Sequence, residues 1–345
     1  MLDIRYSPFA AAACLGTILC MDQKRMFVNE LVPGQVLDQV FLVRDKDLRT
    51  TKTGGLYLMC TLADKTGTIP GRMWQISESI YNCISVEGFL HVKGRVEDYR
   101  GSLQFVIDSC RPFAADKIDL ADFLAVTKHD IEKMWAELLE ILRGIKDAKL
   151  RMLIKKFIED REMVSAFKRA PAAMQLHHPF IGGLLEHTLS MARAATAVLP
   201  LYPQVNGDLV LCGVFFHDIG KAAELSASTS MTYTDRGQLV GHIAIAVIWV
   251  AQKAAEITAE TAEPFPQRTL DLLQHIILSH HGTMEFGSPK LPAIPEAFLV
   301  HHLDNLDAKV WMTTNAIDND PDTKSSFTSY MKQLETRVYK LSREL

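Results

Sequence analysis

Residues 215–221 read Phe-Phe-His-Asp-Ile-Gly-Lys. The run before them, Asp208 to Phe216, is almost wholly apolar and reads as a buried helix. A His-Asp pair therefore stands directly after a buried helix end. Burying both side chains without partners costs several kcal/mol, and a metal ion removes that cost. Imidazole nitrogen with carboxylate oxygen suits Mn²⁺, Fe²⁺, Co²⁺, Ni²⁺ or Zn²⁺, whereas an all-oxygen set favours Mg²⁺ or Ca²⁺. His217 and Asp218 cannot share one straight helical face. At a helix end the backbone can turn both inward, and the two oxygens of Asp218 can serve two ions.

Outward from this pair, ten of the 12 histidines lie between residues 177 and 302. His187 and Asp304 fall on separate helical segments and can complete a first site. His242 and the His280-His281 pair can complete a second. His91, His129 and His275 each stand alone in apolar surroundings and read as core residues. Helical periodicity runs through Ile131–Leu142, Leu150–Ile158, Gly183–Leu199, Asp208–Phe216, Gln238–Ile257, Thr269–His280, Glu296–Ile317 and Ser325–Leu345. Residues 114–345 thus read as an all-α domain.

Before residue 113 the pattern is different. Five strand signals, Gln35–Arg44, Leu56–Leu62, Gly67–Trp74, Gly88–Glu97 and Ser102–Ser109, are separated by Gly-rich turns, with a short helical stretch, Ile76–Ile84, between the third and fourth. That order is the order of a five-stranded OB-type barrel, so residues 21–113 read as a nucleic-acid-binding domain. The segment Asp45–Gly55 reads as a basic loop with Lys46, Arg49 and Lys52, and Arg44 beside it. Tyr57 and Trp74 are candidate stacking faces for bases; the alternative is that such aromatics fill the barrel.

Across the 345 residues, 48% are apolar and 23% charged, which excludes a mainly disordered chain. The apolar runs are too short for a membrane span. Lys and Arg number 12 against 11 Asp and Glu in residues 21–113, and the net −4 arises in the C-terminal part. The six cysteines form no CxxC pair and sit mostly in apolar runs, as expected of a reduced, cytoplasmic protein. Residues 1–20 faintly imitate a signal peptide without a good cleavage site, and Met21 looks like a natural start. They are expected to be an over-extended gene start or a disordered tail.

His187, His217-Asp218 and Asp304 resemble the ligand set of the HD superfamily of metal phosphohydrolases. Four longer blocks, Gly182–Thr188, His217–Lys221, His280–Pro289 and His302–Lys309, resemble the YhaM-type 3′→5′ exoribonucleases, over about Met26 to Leu345. That family places an OB domain before an HD domain. The segment after His281 lacks the Gly-Tyr-Pro of HD-GYP cyclic-dinucleotide phosphodiesterases.

The resemblance implies metal ligands His187, His217, Asp218, His242, His280, His281 and Asp304, with one of the 280/281 pair alternatively touching phosphate. It implies catalytic roles for Asp218, Lys221 and His281, with Lys221 meeting the scissile phosphate. Two divalent transition-metal ions, Mn²⁺ first, would supply the nucleophile and neutralise developing charge. His177 and His178 would line the entrance or serve structure; Glu285 and Ser288 receive no role. The implied activity is stepwise release of nucleoside 5′-monophosphates from single-stranded RNA, or DNA. The alternatives are an HD phosphohydrolase of a small nucleotide or cyclic dinucleotide with the barrel as regulator, and a non-catalytic nucleic-acid binder, which the complete ligand set disfavours.

Overall fold

A computed structural model describes residues 25–51, 53–174, 177–227, 231–322 and 324–340. The expectations for residues 1–20 and for Lys52 lie outside the described residues.

The N-terminal part is a closed barrel of five strands, β1 (Val36–Thr50), β2 (Leu56–Asp64), β3 (Gly67–Trp74), β4 (Phe89–Tyr99) and β5 (Ser102–Phe113), in the order β1-β2-β3-β5-β4. Helix α1 (Glu78–Cys83) lies between β3 and β4, started by the Ser77 side chain, which accepts from the Ile80 N–H. β3 and β5 meet in parallel at Gly71–Phe105 and Arg72–Val106, and β1–β4 pairing closes the barrel. This is the OB arrangement. Inward-facing Phe41, Leu58, Leu62, Leu90, Val92 and Phe105 fill it, with the Phe41 and Phe105 rings 6.0 Å apart.

The basic loop expected at Asp45–Gly55 is mostly strand. β1 kinks at a register shift between Val43 and Asp45, then runs on to Thr50 paired with β2. The charges that read as a loop alternate along an extension of the barrel that is wet on one face.

Residues 114–124 pack on the barrel. Phe123 sits against Phe89 at 4.8 Å, in a cluster with Val40, Leu42 and Ala63. The Lys65 N–H donates to the Asp122 carbonyl at 3.0 Å. The chain then joins the helical part through a bridge between Val126 and Ile181.

That part comprises α2 (Ile131–Arg143), α3 (Ala148–Ile158), α4 (Arg161–Arg169), α5 (Gly183–Val198), α6 (Gly207–Phe216), α7 (Lys221–Glu224), α8 (Asp235–Val240), α9 (His242–Thr261), α10 (Gln267–Ser279) and α11 (Pro295–Asp318). Asp130, Asp147, Asp160 and Asn206 cap α2, α3, α4 and α6 with their side chains. Helix α6 is apolar all round because it is central, packed by α3, α5, α10 and α11. Among the described residues no helix is long and apolar enough to cross a membrane.

Three local expectations need correction. Gln238–Ile257 is not one helix: Gly241, at φ +75°, ends α8 before α9 begins. A small hairpin, Leu225–Ala227 with Met231–Tyr233, precedes α8. Ser325–Leu345 is not helical over its described part. It folds back on itself through Phe327–Tyr339 and Met331–Thr336 bridges, with Glu335 at φ +52° in the turn. Its apolar side chains are too sparse, and too exposed, for packing to hold a helix.

Candidate metal centre

Helix α6 ends at His217, and a tight turn carries the chain through Asp218 to α7, closed by Lys221 N–H donating to the Asp218 carbonyl at 2.9 Å. His217 and Asp218 are buried, as are His187 of α5 and His280 at the end of α10. Gly220 makes room for α9: a Cβ there would lie 2.1 Å from the His242 carbonyl oxygen. The bare backbone lets the first residue of α9 reach the His-Asp turn.

Asp218 stands at the middle. Its Oδ2 is 3.3 Å from His217 Nε2 and 3.9 Å from His187 Nε2. Its Oδ1 is 3.4 Å from His242 Nε2 and 3.5 Å from His280 Nε2. Asp304 of α11 places Oδ1 3.3 Å from His187 Nε2. His281 stands beside His280 and His242, at ring separations of 4.2 and 5.4 Å. Ligand atoms of Asp218, His242, His280 and His281 lie within 4.8 Å of one another, and so do those of His187, His217 and Asp218.

Every one of these rings is held from behind. Nδ1 of His217 donates to the Val214 carbonyl (2.8 Å), that of His280 to Ile277 (2.8 Å) and that of His281 to Phe286 (2.7 Å). A carbonyl only accepts, so the proton of each neutral ring is on Nδ1 and the lone pair on Nε2. His187 Nδ1 meets Asp307 Oδ2 at 2.7 Å, and His242 Nδ1 meets Glu224 Oε2 at 3.0 Å. Backing of this kind fixes metal-binding histidines.

The inner side is left short of donors. His187 Nε2 and His217 Nε2 face each other at 3.3 Å. Asp218 Oδ1, His242 Nε2 and His280 Nε2 are buried without a hydrogen bond, a state that is costly unless a cation meets them. The residues therefore fit a divalent metal ion. Burial alone would lower the His187 pKa, but its bonds to Asp304 and Asp307 raise it to about 9. Burial opposes ionisation of Asp218, yet Lys221 and His217 hold it well below the usual carboxylate range. The carboxylates thus stay ionised and draw positive charge to His187, whereas burial lowers His280.

The seven expected ligands thus come together. Lys221 is buried beside the centre, with Nζ 2.5 Å from Asp218 Oδ2. His177 lies beside the centre, its ring 5.2 Å from that of His187, and burial pulls it down to about 3. His178 is almost wholly buried, yet it lines a cavity together with Glu186, Asp307 and Trp311. Ser288 is buried and donates to the Leu278 and Lys290 carbonyls, anchoring the loop after His281; Glu285 is exposed. Two supporting residues escaped sequence reasoning. Asp307 lies one helical turn after Asp304, and Glu224 three residues after Lys221; that spacing was the available signal.

The barrel residues are more dispersed. Arg44 pairs with Glu87 (2.9 Å) and exposed Arg49 with Asp47 (2.7 Å). Lys46 donates to the Tyr81 and Ile84 carbonyls at the end of α1, so its charge is committed inside the protein. Tyr57 and Trp74 lie 5.1 Å apart across β2–β3, and Trp74 is 50% exposed.

A helical domain with this His/Asp centre defines the class of HD-domain hydrolases, and the family description "HD domain" matches residues 184–309. The chain is 36% identical over 295 residues to "3'-5' exoribonuclease YhaM" of Listeria monocytogenes serotype 4b (strain CLIP80459), covering 84% of this chain and 90% of that one. It is 34% identical over 307 residues to the protein of the same name from Geobacillus sp. (strain WCH70), covering 89% and 92%. The barrel region matches the second OB-fold domain of replication protein A from Methanococcus maripaludis at 23% identity, over 25% of this chain and 91% of that one, with a TM-score of 0.21. The chain belongs to the YhaM family, and is a hydrolytic nuclease.

Proposed function

We propose that the protein is a metal-dependent 3′→5′ exoribonuclease that shortens single-stranded RNA or DNA to nucleoside 5′-monophosphates at a two-ion centre. The observation that carries the two-ion reading is the division of Asp218, with Oδ2 toward His187 and His217 and Oδ1 toward His242 and His280. His187, His217 and Asp304 would hold one ion; His242, His280 and His281 the other; Asp218 would serve both. A mixed imidazole–carboxylate set of this kind takes Fe²⁺, Co²⁺, Ni²⁺ or Zn²⁺ as well as Mn²⁺; Mn²⁺ is placed first on the family resemblance and not on the ligand atoms. Bound there, such ions supply Lewis acidity and a nucleophile at neutral pH.

The chain's own residues do the rest. Lys221 keeps Asp218 ionised and oriented. Asp307 and Glu224 hold the backs of His187 and His242. The barrel would present Trp74 and Tyr57 to unpaired bases, giving length dependence with little sequence preference. Support for RNA and for 3′→5′ polarity is the name carried by relatives over most of the chain. A cytosolic location fits the free thiols of Cys60, Cys83, Cys110 and Cys212.

The test is digestion of 5′-labelled single-stranded RNA and DNA with Mn²⁺, Co²⁺ or Mg²⁺. A ladder of 5′-labelled products shortening from the 3′ end, with free nucleoside 5′-monophosphates, supports the reading. Cleavage of cyclic dinucleotides or nucleotides alone would replace it with a small-substrate hydrolase.

A further inference from the structure

His178 is buried, yet its ring is spent on two carboxylates. Nε2 hydrogen-bonds Asp307 Oδ2 at 3.2 Å, and Nδ1 lies 3.3 Å from Glu186 Oε1, an ionic contact without hydrogen-bond geometry. Both carboxylates adjoin the same metal-site residue: Asp307 Oδ2 receives the Nδ1–H of His187 at 2.7 Å, and Glu186 precedes His187 in the chain. Asp307 is further tied by Ser190 through its other oxygen, and Glu186 by the Thr127 hydroxyl.

The ring has little freedom to leave this position. It lies 5.2 Å from the Trp311 ring and 5.7 Å from that of Phe180. Its backbone adopts φ +44°, a left-handed conformation uncommon for side-chain-bearing residues, and its carbonyl accepts from the N–H groups of Ala172 and Phe180. A residue that only filled space there would need neither that backbone nor two ionic partners.

Thr127 is where the chain enters the helical part. Its N–H donates to the Ile181 carbonyl at 2.9 Å. Four residues upstream, Phe123 is packed on the barrel. A continuous polar path therefore runs Thr127–Glu186–His178–Asp307–His187, from the connection between the domains to the centre.

Resting on the metal-centre reading above, we propose that His178 is a positioning residue: by bridging Asp307 and Glu186 it aims His187 at the metal and ties that aim to the interdomain connection at Thr127. Outer partners of metal-bound histidines typically contribute 10–100-fold in metal affinity or activity.

The experiment uses full-length protein and titrates Co²⁺, reading the visible absorption and the binding constant, alongside Mn²⁺-supported digestion of a single-stranded oligonucleotide. The variants are His178→Asn, since Asn tolerates the left-handed backbone, Asp307→Asn, which keeps shape, and Thr127→Val, which keeps volume. His178→Asn and Asp307→Asn should each weaken Co²⁺ binding by about 10–100-fold, change the absorption envelope and lower kcat, leaving KM for the oligonucleotide within about twofold. Thr127→Val should shift the same readouts in the same direction by less. If His178→Asn only lowers the melting temperature while Co²⁺ affinity and spectrum stay at wild-type values, the positioning role is overturned and the metal centre stands. If the wild-type protein binds no divalent ion, the metal-centre reading falls, and this proposal with it.

Discussion

Lys221 Nζ stands 2.5 Å from Asp218 Oδ2, and both side chains are buried. The lysine is thus the standing counter-charge of the carboxylate at the middle of the centre. Removing one partner of a buried pair costs about 3–5 kcal/mol, because the other charge is left uncompensated. In Lys221→Ala, bound metal would take over that compensation. The variant should keep its metal and melt lower chiefly when stripped by chelator. If the ammonium also meets the scissile phosphate, turnover should fall by roughly two to three orders of magnitude, the scale seen when one preorganised donor to developing charge is lost. Melting curves with and without Mn²⁺, and turnover on the same preparations, check this.

Asp218→Asn keeps the shape of the carboxylate and removes its charge. Because both of its oxygens face imidazole nitrogens, the variant should bind less than half the metal of the wild type and lose measurable cleavage. Far-ultraviolet circular dichroism should stay unchanged, since the apolar faces of α5, α6 and α10 are untouched. Metal analysis after dialysis reads the outcome; full metal content with normal turnover would remove Asp218 from the centre.

Gly220→Ala tests the second side of the centre alone. The new Cβ would meet the His242 carbonyl at 2.1 Å, which only backbone movement can relieve. His242 should be pushed from Asp218 while His187 and His217 stay in place. Binding should drop from two equivalents to one, measured by isothermal titration with Mn²⁺.

The barrel can be separated from the centre by a cut after residue 124. A cut after residue 113 would strip the barrel from Ile118, Leu120 and Phe123, which pack on it, and should give a less soluble fragment. Within the full chain, Trp74→Ala should weaken binding of single-stranded RNA by about tenfold, as expected for one lost stacking contact. Hydrolysis of methyl p-nitrophenyl phosphate, which has no base to stack, should not change.

Much of the centre was legible because metal-ligand chemistry needs His and Asp, and few other roles explain ten histidines in one helical stretch. His187, His242 and Asp304 could be placed on the centre without coordinates. Asp307 and Glu224 could not, because a carboxylate on a helix reads as surface until its partner is known. Lys221 follows Gly220 and turns toward the centre as expected, but its partner Asp218 Oδ2 depends on how α7 turns, and spacing does not report that. In the barrel, strand order followed from Gly-rich turns. The extension of β1 through Lys46 and Arg49 was hidden by charges that alternate on a half-wet strand. The segment after residue 325 shows the opposite error: a weak helical spacing, with no core to receive it, formed a folded-back hairpin.

The most direct measurement of the central claim is the digestion of a 5′-labelled single-stranded RNA by metal-stripped protein to which Mn²⁺ is returned in known equivalents. Cleavage should be absent without metal, rise to its maximum near two equivalents, and shorten the labelled RNA stepwise from its 3′ end. Full cleavage in the stripped protein, or full activity reached at one equivalent, would contradict a centre in which Asp218 serves two ions.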